Sequence, residues 1–362
     1  MRLAPPTPAA GTYPTGAAGL SRDWDGHAWA WHPQSDSSAA AFPKWHHRPW
    51  LVFAHPSFWL WFLSALASGG LAYLYTVTNS VAFVWVGAII GCVGAAAALV
   101  IFLDRRVRFS EVVSWPEFVL WGALGGSIAI GISYVGEGAL GGGMLSTASA
   151  GPFEESTKIL IPVVLFLIGW YRDPRAGFAI ALACGATFGI LEGIEYIAMH
   201  PDMAIRGVRV NHPGDSDQEM KSVMVVAWAT YRPTFELVHP LLVGFTAAIA
   251  WRWAAVRKHF WLPLLVAVVV AATLHSIIDV TISQHDGWTA VAMAIVILLY
   301  FVATKPAARE LPGPDASRDN PPMWRPRIAR ALRHEAAQKA AAGATVAGAT
   351  EAGATPAGSA PQ

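Results

Sequence analysis

The stretch AGFAIALACGATFGILEGIEYIAM, Ala176 to Met199, decides the architecture of this chain. It is long enough to cross a bilayer as a helix, because a hydrocarbon core of about 30 Å takes about 20 apolar residues. Gly185, Gly189 and Gly193 recur at every fourth position. That spacing puts them on one helix face, and small residues there let a second helix backbone come close. The same stretch carries Glu192 and Glu195 near its end. An ionised group at mid-membrane costs about 2.5–3.5 kcal/mol on insertion scales. A helix that keeps such acids beside a close-packing ridge belongs inside a bundle, with partners waiting for the acids.

Working outward, the 362-residue chain is 54% hydrophobic and only 14% charged, where soluble domains carry roughly 25% charged residues. The deficit is concentrated between Ser57 and Thr304. Eight apolar stretches qualify as spans: Ser57–Val77, Val81–Leu103, Pro116–Val135, Pro152–Trp170, Ala176–Met199, Val223–Trp251, Trp261–Ile282 and Trp288–Ala303. The expected fold class is therefore all-α, a polytopic transmembrane helix bundle of about eight spans. Three regions follow. Residues 1–56 read as a flexible cytosolic arm, 57–304 as the membrane domain with site-bearing spans over about 152–283, and 305–362 as a disordered low-complexity cytosolic tail. The first 40 residues lack an apolar segment of the kind a secretory signal needs. Trp45 and Trp50, with Lys44, His46, His47 and Arg48, suit a membrane interface. A net charge of +1 gives no case for nucleic-acid binding. Cys92 and Cys184 both lie in apolar stretches, so no disulfide framework is expected.

Basic residues in short loops set orientation. Arg105, Arg106 and Arg108 follow the second stretch, Arg172 and Arg175 the fourth, Arg252, Arg257 and Lys258 the sixth, and Lys305 and Arg309 the eighth. This alternation places both termini in the cytosol and predicts an integral multi-pass protein of the cell membrane.

The first, second and eighth stretches contain no Asp, Glu, Lys, Arg or His. The third has only Glu117, at its entry, and four consecutive spans hold nearly all the rest: Glu154, Glu155 and Lys158; Glu192 and Glu195; Arg232, Glu236 and His239; His275 and Asp279. Helix direction brings these groups to one level, between the midplane and the outer surface. Glu154 and Lys158, Arg232 and Glu236, and His275 and Asp279 are each four apart and so share a face. Pro162 is expected to kink the fourth stretch below its acids.

In this order the motifs resemble those of the PrsW family of intramembrane proteases, related to the CAAX-processing membrane proteases. Gly-Pro-Phe-Glu154-Glu155-Ser-Thr-Lys158 matches the family's Glu-Glu-x-x-Lys. Phe188-Gly-Ile-Leu-Glu192-Gly193 matches its Phe-x-x-x-Glu, with Gly193 where the family usually has Asn. Arg232 and His239 match the next motif, and His275-Ser-Ile-Ile-Asp279 the last. The resemblance implies an endopeptidase acting on a membrane-anchored protein, such as an anti-sigma factor, within the lipid bilayer.

Peptide hydrolysis needs an activated water, a stabilised oxyanion and a proton for the leaving amine. A carboxylate in an apolar site suits the first and last tasks, and Glu154 or Glu155 is placed for them. Lys158 either orients a carboxylate or only neutralises it. Glu192, His239 and His275 supply a His2Glu set for one divalent metal, zinc by donor type, with Asp279 fixing a histidine ring. Without a metal, His239 and His275 would stabilise the oxyanion and Glu192 would position the water. An ion- or proton-coupled transporter or channel is the competing reading, because buried acids and histidines also mark ion paths.

Overall fold

The computed structural model describes residues 11–14, 20–24, 29–33, 55–141, 143–199, 217–257, 259–283 and 288–308. Two compact units are present, one drawn from residues 1–40 and 321–362, the other from residues 41–320. In the first, β1 (Gly11–Pro14), β2 (Leu20–Trp24) and β3 (Trp29–Pro33) form an antiparallel sheet in the order β1-β2-β3. Tyr13 pairs with Arg22 and Arg22 with Trp31. The arm, expected to be flexible, thus carries three short strands. The interfacial group from Lys44 to Trp50 and the tail beyond Ala308 lie outside the described residues.

Among the described residues, the regular structure of the second unit is all helical. α1 (Pro56–Thr78) starts at Pro56, whose fixed φ suits a first helical position. His55 caps it by accepting the Ser57 N–H at 3.2 Å. Burial, and then the neighbouring Arg105 charge, hold this imidazole below the usual histidine range, which favours an acceptor role. Asn79, in the left-handed region at φ 56°, ends α1. α2 (Val81–Val107) returns alongside it and stops at Arg108, φ 57°. A 3-10 turn at Phe109–Glu111 leads to α3 (Trp115–Gly138). A capping box opens α3: Ser114 N donates to Glu117 Oε2 at 2.8 Å, and Glu117 N donates to Ser114 Oγ at 3.4 Å.

The fourth apolar stretch folds as two helices, α4 (Gly143–Lys158) and α5 (Leu160–Leu167). The expected loop Gly136–Gly151 is therefore mostly helix, with Pro152 inside α4 rather than at its start. The helix does break at Ile159, as Pro162 predicts, because a proline nitrogen has no hydrogen to give the Lys158 carbonyl. α6 (Pro174–Ile194) continues into a π-helical turn, Glu195–Met199. The sixth stretch is also divided, into α7 (Asp217–Phe235) and α8 (Val238–Arg257). Its break at Glu236–Leu237 falls between Pro233 and Pro240, which remove backbone donors on either side. α9 (Trp261–Ser283) and α10 (Trp288–Ala308) complete the unit.

Among the described residues, six helical segments are long and apolar enough to cross a membrane. Their outer faces are apolar, with Leu63, Val81, Val119 and Leu262 exposed. Such surfaces suit lipid rather than water. α6 is the inner helix and packs on α3 and α8, while α4 packs on α9. The glycine ridge sets the α6–α8 approach. A Cβ on Gly185 would stand 2.8 Å from the His239 carbonyl oxygen, and one on Gly189 would stand 2.6 Å from that of Glu236. Only glycine admits a neighbouring backbone this close.

Candidate active site

Lys158 is the hub. Its side chain is fully buried on α4, yet three polar groups surround its ammonium. Nζ donates to Glu154 Oε2 at 2.8 Å and to Glu155 Oε1 at 2.9 Å. It also lies 2.7 Å from His239 Nδ1 and 4.1 Å above the Phe188 ring. The first two partners come from helix periodicity, one turn back along α4. The third comes from the α7–α8 break, which turns His239 towards α4.

An ammonium only donates hydrogen bonds, so His239 Nδ1 accepts and the proton of the neutral ring resides on Nε2. That nitrogen faces two carboxylates, Glu192 Oε2 at 2.6 Å and Glu236 Oε2 at 2.9 Å. Glu236 is in turn held by Arg232 Nε, and Arg232 Nη2 reaches to 4.0 Å from Glu192 Oε1. The guanidinium is clamped over the Tyr196 ring at 4.1 Å and the Trp228 ring at 5.3 Å. Phe188 packs on His239 with centroids 5.0 Å apart.

His275, from α9, stands 5.1 Å from His239 between ring centroids. Its Nδ1 pairs with Glu155 Oε1 at 2.9 Å. Its Nε2 faces Glu154 Oε2 and Asp279 Oδ2, each at 3.5 Å. Asp279 is the one acid of the cluster with substantial exposure, 27% for its side chain. Glu155 is 1% exposed. Both of its strong bonds use Oε1, and Oε2 has no hydrogen-bond partner among the described residues.

Seven of the residues that the sequence singled out therefore meet in one buried cluster: Glu154, Glu155, Lys158, Glu192, His239, His275 and Asp279; Glu195 instead opens the π-helical turn Glu195–Met199. Glu236 belongs with them as the second acid on His239. Its spacing from Arg232 and His239 was the available signal, although no family motif claims it. Glu137, at the end of α3, has a buried Oε1 without a hydrogen-bond partner among the described residues. Its position in an expected loop had hidden it.

The donor atoms divide into two groups suited to a metal. One is Glu154, His239 and His275; the other is Glu192, Glu236 and His239. The expected set of Glu192, His239 and His275 is thus split by the His239 ring, with Glu192 on its Nε2 side and His275 gathered with Glu154 on its Nδ1 side. In the first group, Glu154 Oε2 is 3.6 Å from His239 Nδ1 and 3.5 Å from His275 Nε2. Ligands about 2.1 Å from a tetrahedral ion stand about 3.4 Å apart, so these two spacings suit a divalent ion, and the Lys158 ammonium already lies against Glu154 Oε2 and His239 Nδ1.

Residues 111–304, more than half of the chain, match the family model described as PrsW family intramembrane metalloprotease. No curated protein and no solved structure matches.

Proposed function

The chain belongs to the PrsW family of intramembrane metalloproteases, and on that premise we propose that it is an endopeptidase that cuts a membrane-anchored protein near the extracytoplasmic face with a carboxylate-activated water. The observation that carries this reading is Glu155. Its Oε1 is fixed by Lys158 and His275, while its buried Oε2 lacks the hydrogen bond that a water would supply. A carboxylate held this way takes a proton from the attacking water and returns it to the departing amine. The Lys158 ammonium and a protonated His275 would stabilise negative charge on the former carbonyl oxygen, while His239, accepting from Lys158 at Nδ1 and facing Glu192 and Glu236 with Nε2, orients the Lys158 ammonium. Glu236 and Arg232 hold the His239 ring in place.

Glu154, His239 and His275 would hold a divalent metal, zinc by donor type, and the bound ion would supply Lewis-acid polarisation. One observation favours a second, metal-free reading. The Lys158 ammonium already contacts two of these three donors at 2.7–2.8 Å, and so supplies a positive charge of its own.

The location follows from Glu192 and Asp279 lying within about one turn of the ends of α6 and α9, opposite the arginine-bearing loops. Eight spans result if α4–α5 and α10 are added to the six, with both termini cytosolic. A single-pass protein such as an anti-sigma factor is the substrate class that fits. The test compares membrane proteins in cells carrying wild type or Glu155→Gln at equal protein level. Uncut substrate should accumulate with the variant, and an unchanged set of membrane proteins would overturn the proposal.

A further inference from the structure

Away from the acid cluster, a groove of about 290 Å³ runs between α1, α2 and the α7–α8 break. Its walls are apolar, with Phe58, Trp61, Leu99 and Phe102 among them. His55 stands at one end, with its Nε2 3.3 Å from Arg105 Nη1. Arg105 and Arg106 lie three and four residues beyond Phe102, on the same face of α2, and both are exposed. From Asp104 to Glu111 the chain carries Arg105, Arg106 and Arg108 against two acids. Asp104 already accepts from Ser110 N and Oγ at 2.8 Å each.

The groove closes at its other end. Beyond Ala95, α1 and α2 pack too tightly to leave space. A Cβ on Gly94 would meet Ser64 Oγ at 2.5 Å, and one on Gly91 would meet Pro233 Cγ at 2.8 Å. On α2 the lining runs from Ala95 to Phe102, about 10 Å of helix at 1.5 Å per residue, and Arg105 follows about 15 Å from Ala95, half of a hydrocarbon core of about 30 Å. The groove and its arginine-bearing mouth together span one leaflet, blind towards the midplane and cationic at the surface. A membrane-spanning helix needs the full depth and does not fit. An acyl chain with a negatively charged headgroup matches both the length and the charge.

We propose that this groove binds one anionic phospholipid, with an acyl chain along Phe58, Trp61, Leu99 and Phe102 and its phosphate at Arg105 and Arg106. The inner end of the chain would touch Thr234 and Leu237, which flank Glu236 in the helix break.

The test uses the full-length protein in detergent, titrated with phosphatidylglycerol or with phosphatidylcholine of the same chains, and read by native mass spectrometry. One phosphatidylglycerol per chain should be retained, and more tightly than phosphatidylcholine. Arg105→Gln should weaken phosphatidylglycerol about fivefold, the worth of one basic residue at a membrane surface, with Arg105→Lys retaining it. Leu99→Trp, which fills the groove, should remove both lipids. Equal retention of the two lipids, or no change with Arg105→Gln, would overturn the assignment. So would a second copy of the chain, rather than lipid, being displaced by Leu99→Trp. Arg105 is exposed, so its substitution decides the matter even if Leu99→Trp fails to fold.

Discussion

Replacing Glu155 by Gln separates catalysis from packing at the centre of the cluster. The amide oxygen of Gln still accepts from Lys158 and His275, which the structure places at 2.9 Å from Oε1. What disappears is one negative charge and the basicity of the unpartnered Oε2. The cluster has charge to spare. Glu154, Glu155, Glu192, Glu236 and Asp279 face only Lys158 and Arg232 as permanent cations. Stability should therefore fall by no more than about 1 kcal/mol, the scale of one ordinary hydrogen bond. Cleavage should fall by about 10²–10⁴, the typical contribution of a positioned base. Lys158→Met gives the opposite stability result. It strips a buried cation from two carboxylates at 2.8 and 2.9 Å, and breaking such a pair costs about 3–5 kcal/mol. Thermal unfolding in detergent gives the stabilities, and appearance of the cut membrane substrate gives the rate. If Glu155→Gln cleaves within tenfold of wild type, Glu155 is not the base. If it loses as much stability as Lys158→Met, its role is that of a structural ion-pair partner.

Other outcomes are expected from the same geometry. Gly189→Ala places a methyl 2.6 Å from the Glu236 carbonyl oxygen; it should destabilise by about 1–3 kcal/mol, the usual cost of overpacking, and reduce cleavage, whereas normal activity and melting would contradict the α6–α8 approach. A chelator should abolish cleavage by the wild type, with recovery on adding zinc; undiminished cleavage would favour the metal-free reading built on Lys158. Glu236→Gln should lower turnover by about tenfold while leaving substrate affinity unchanged, since Glu236 acts only through His239; a change confined to substrate affinity would refute that role. Reporter fusions at residues 139–142 should mark the extracytoplasmic side and fusions at residues 108–114 the cytosol; the reverse pattern would overturn the depth assigned to the site.

Much of this molecule was legible in one dimension, because membrane embedding is a local property. Apolar runs of the right length gave the bounds of α1, α2, α3, α9 and α10 to within a few residues, α10 being five residues longer than expected. The cost of burying charge marked Glu154, Glu155, Lys158, Glu192, His239, His275 and Asp279 as one group before any contact was known. The fourfold glycine spacing foretold a close approach of α6. The sequence did not show where helices break against their neighbours. Polar Gly143–Gly151 reads as loop by composition, yet it forms helix because Gly151 packs directly on α9 at Ala272 and Ser276. A single apolar stretch conceals the break at Glu236–Leu237, and that break delivers His239 to Lys158 on one side and to Glu192 and Glu236 on the other. Which carboxylate faces which imidazole nitrogen, and hence whether Glu154 or Glu192 stands with His275, depends on the rotation of four helices about their own axes. Contacts between backbones far apart in sequence set those rotations, so only the tertiary structure decides them.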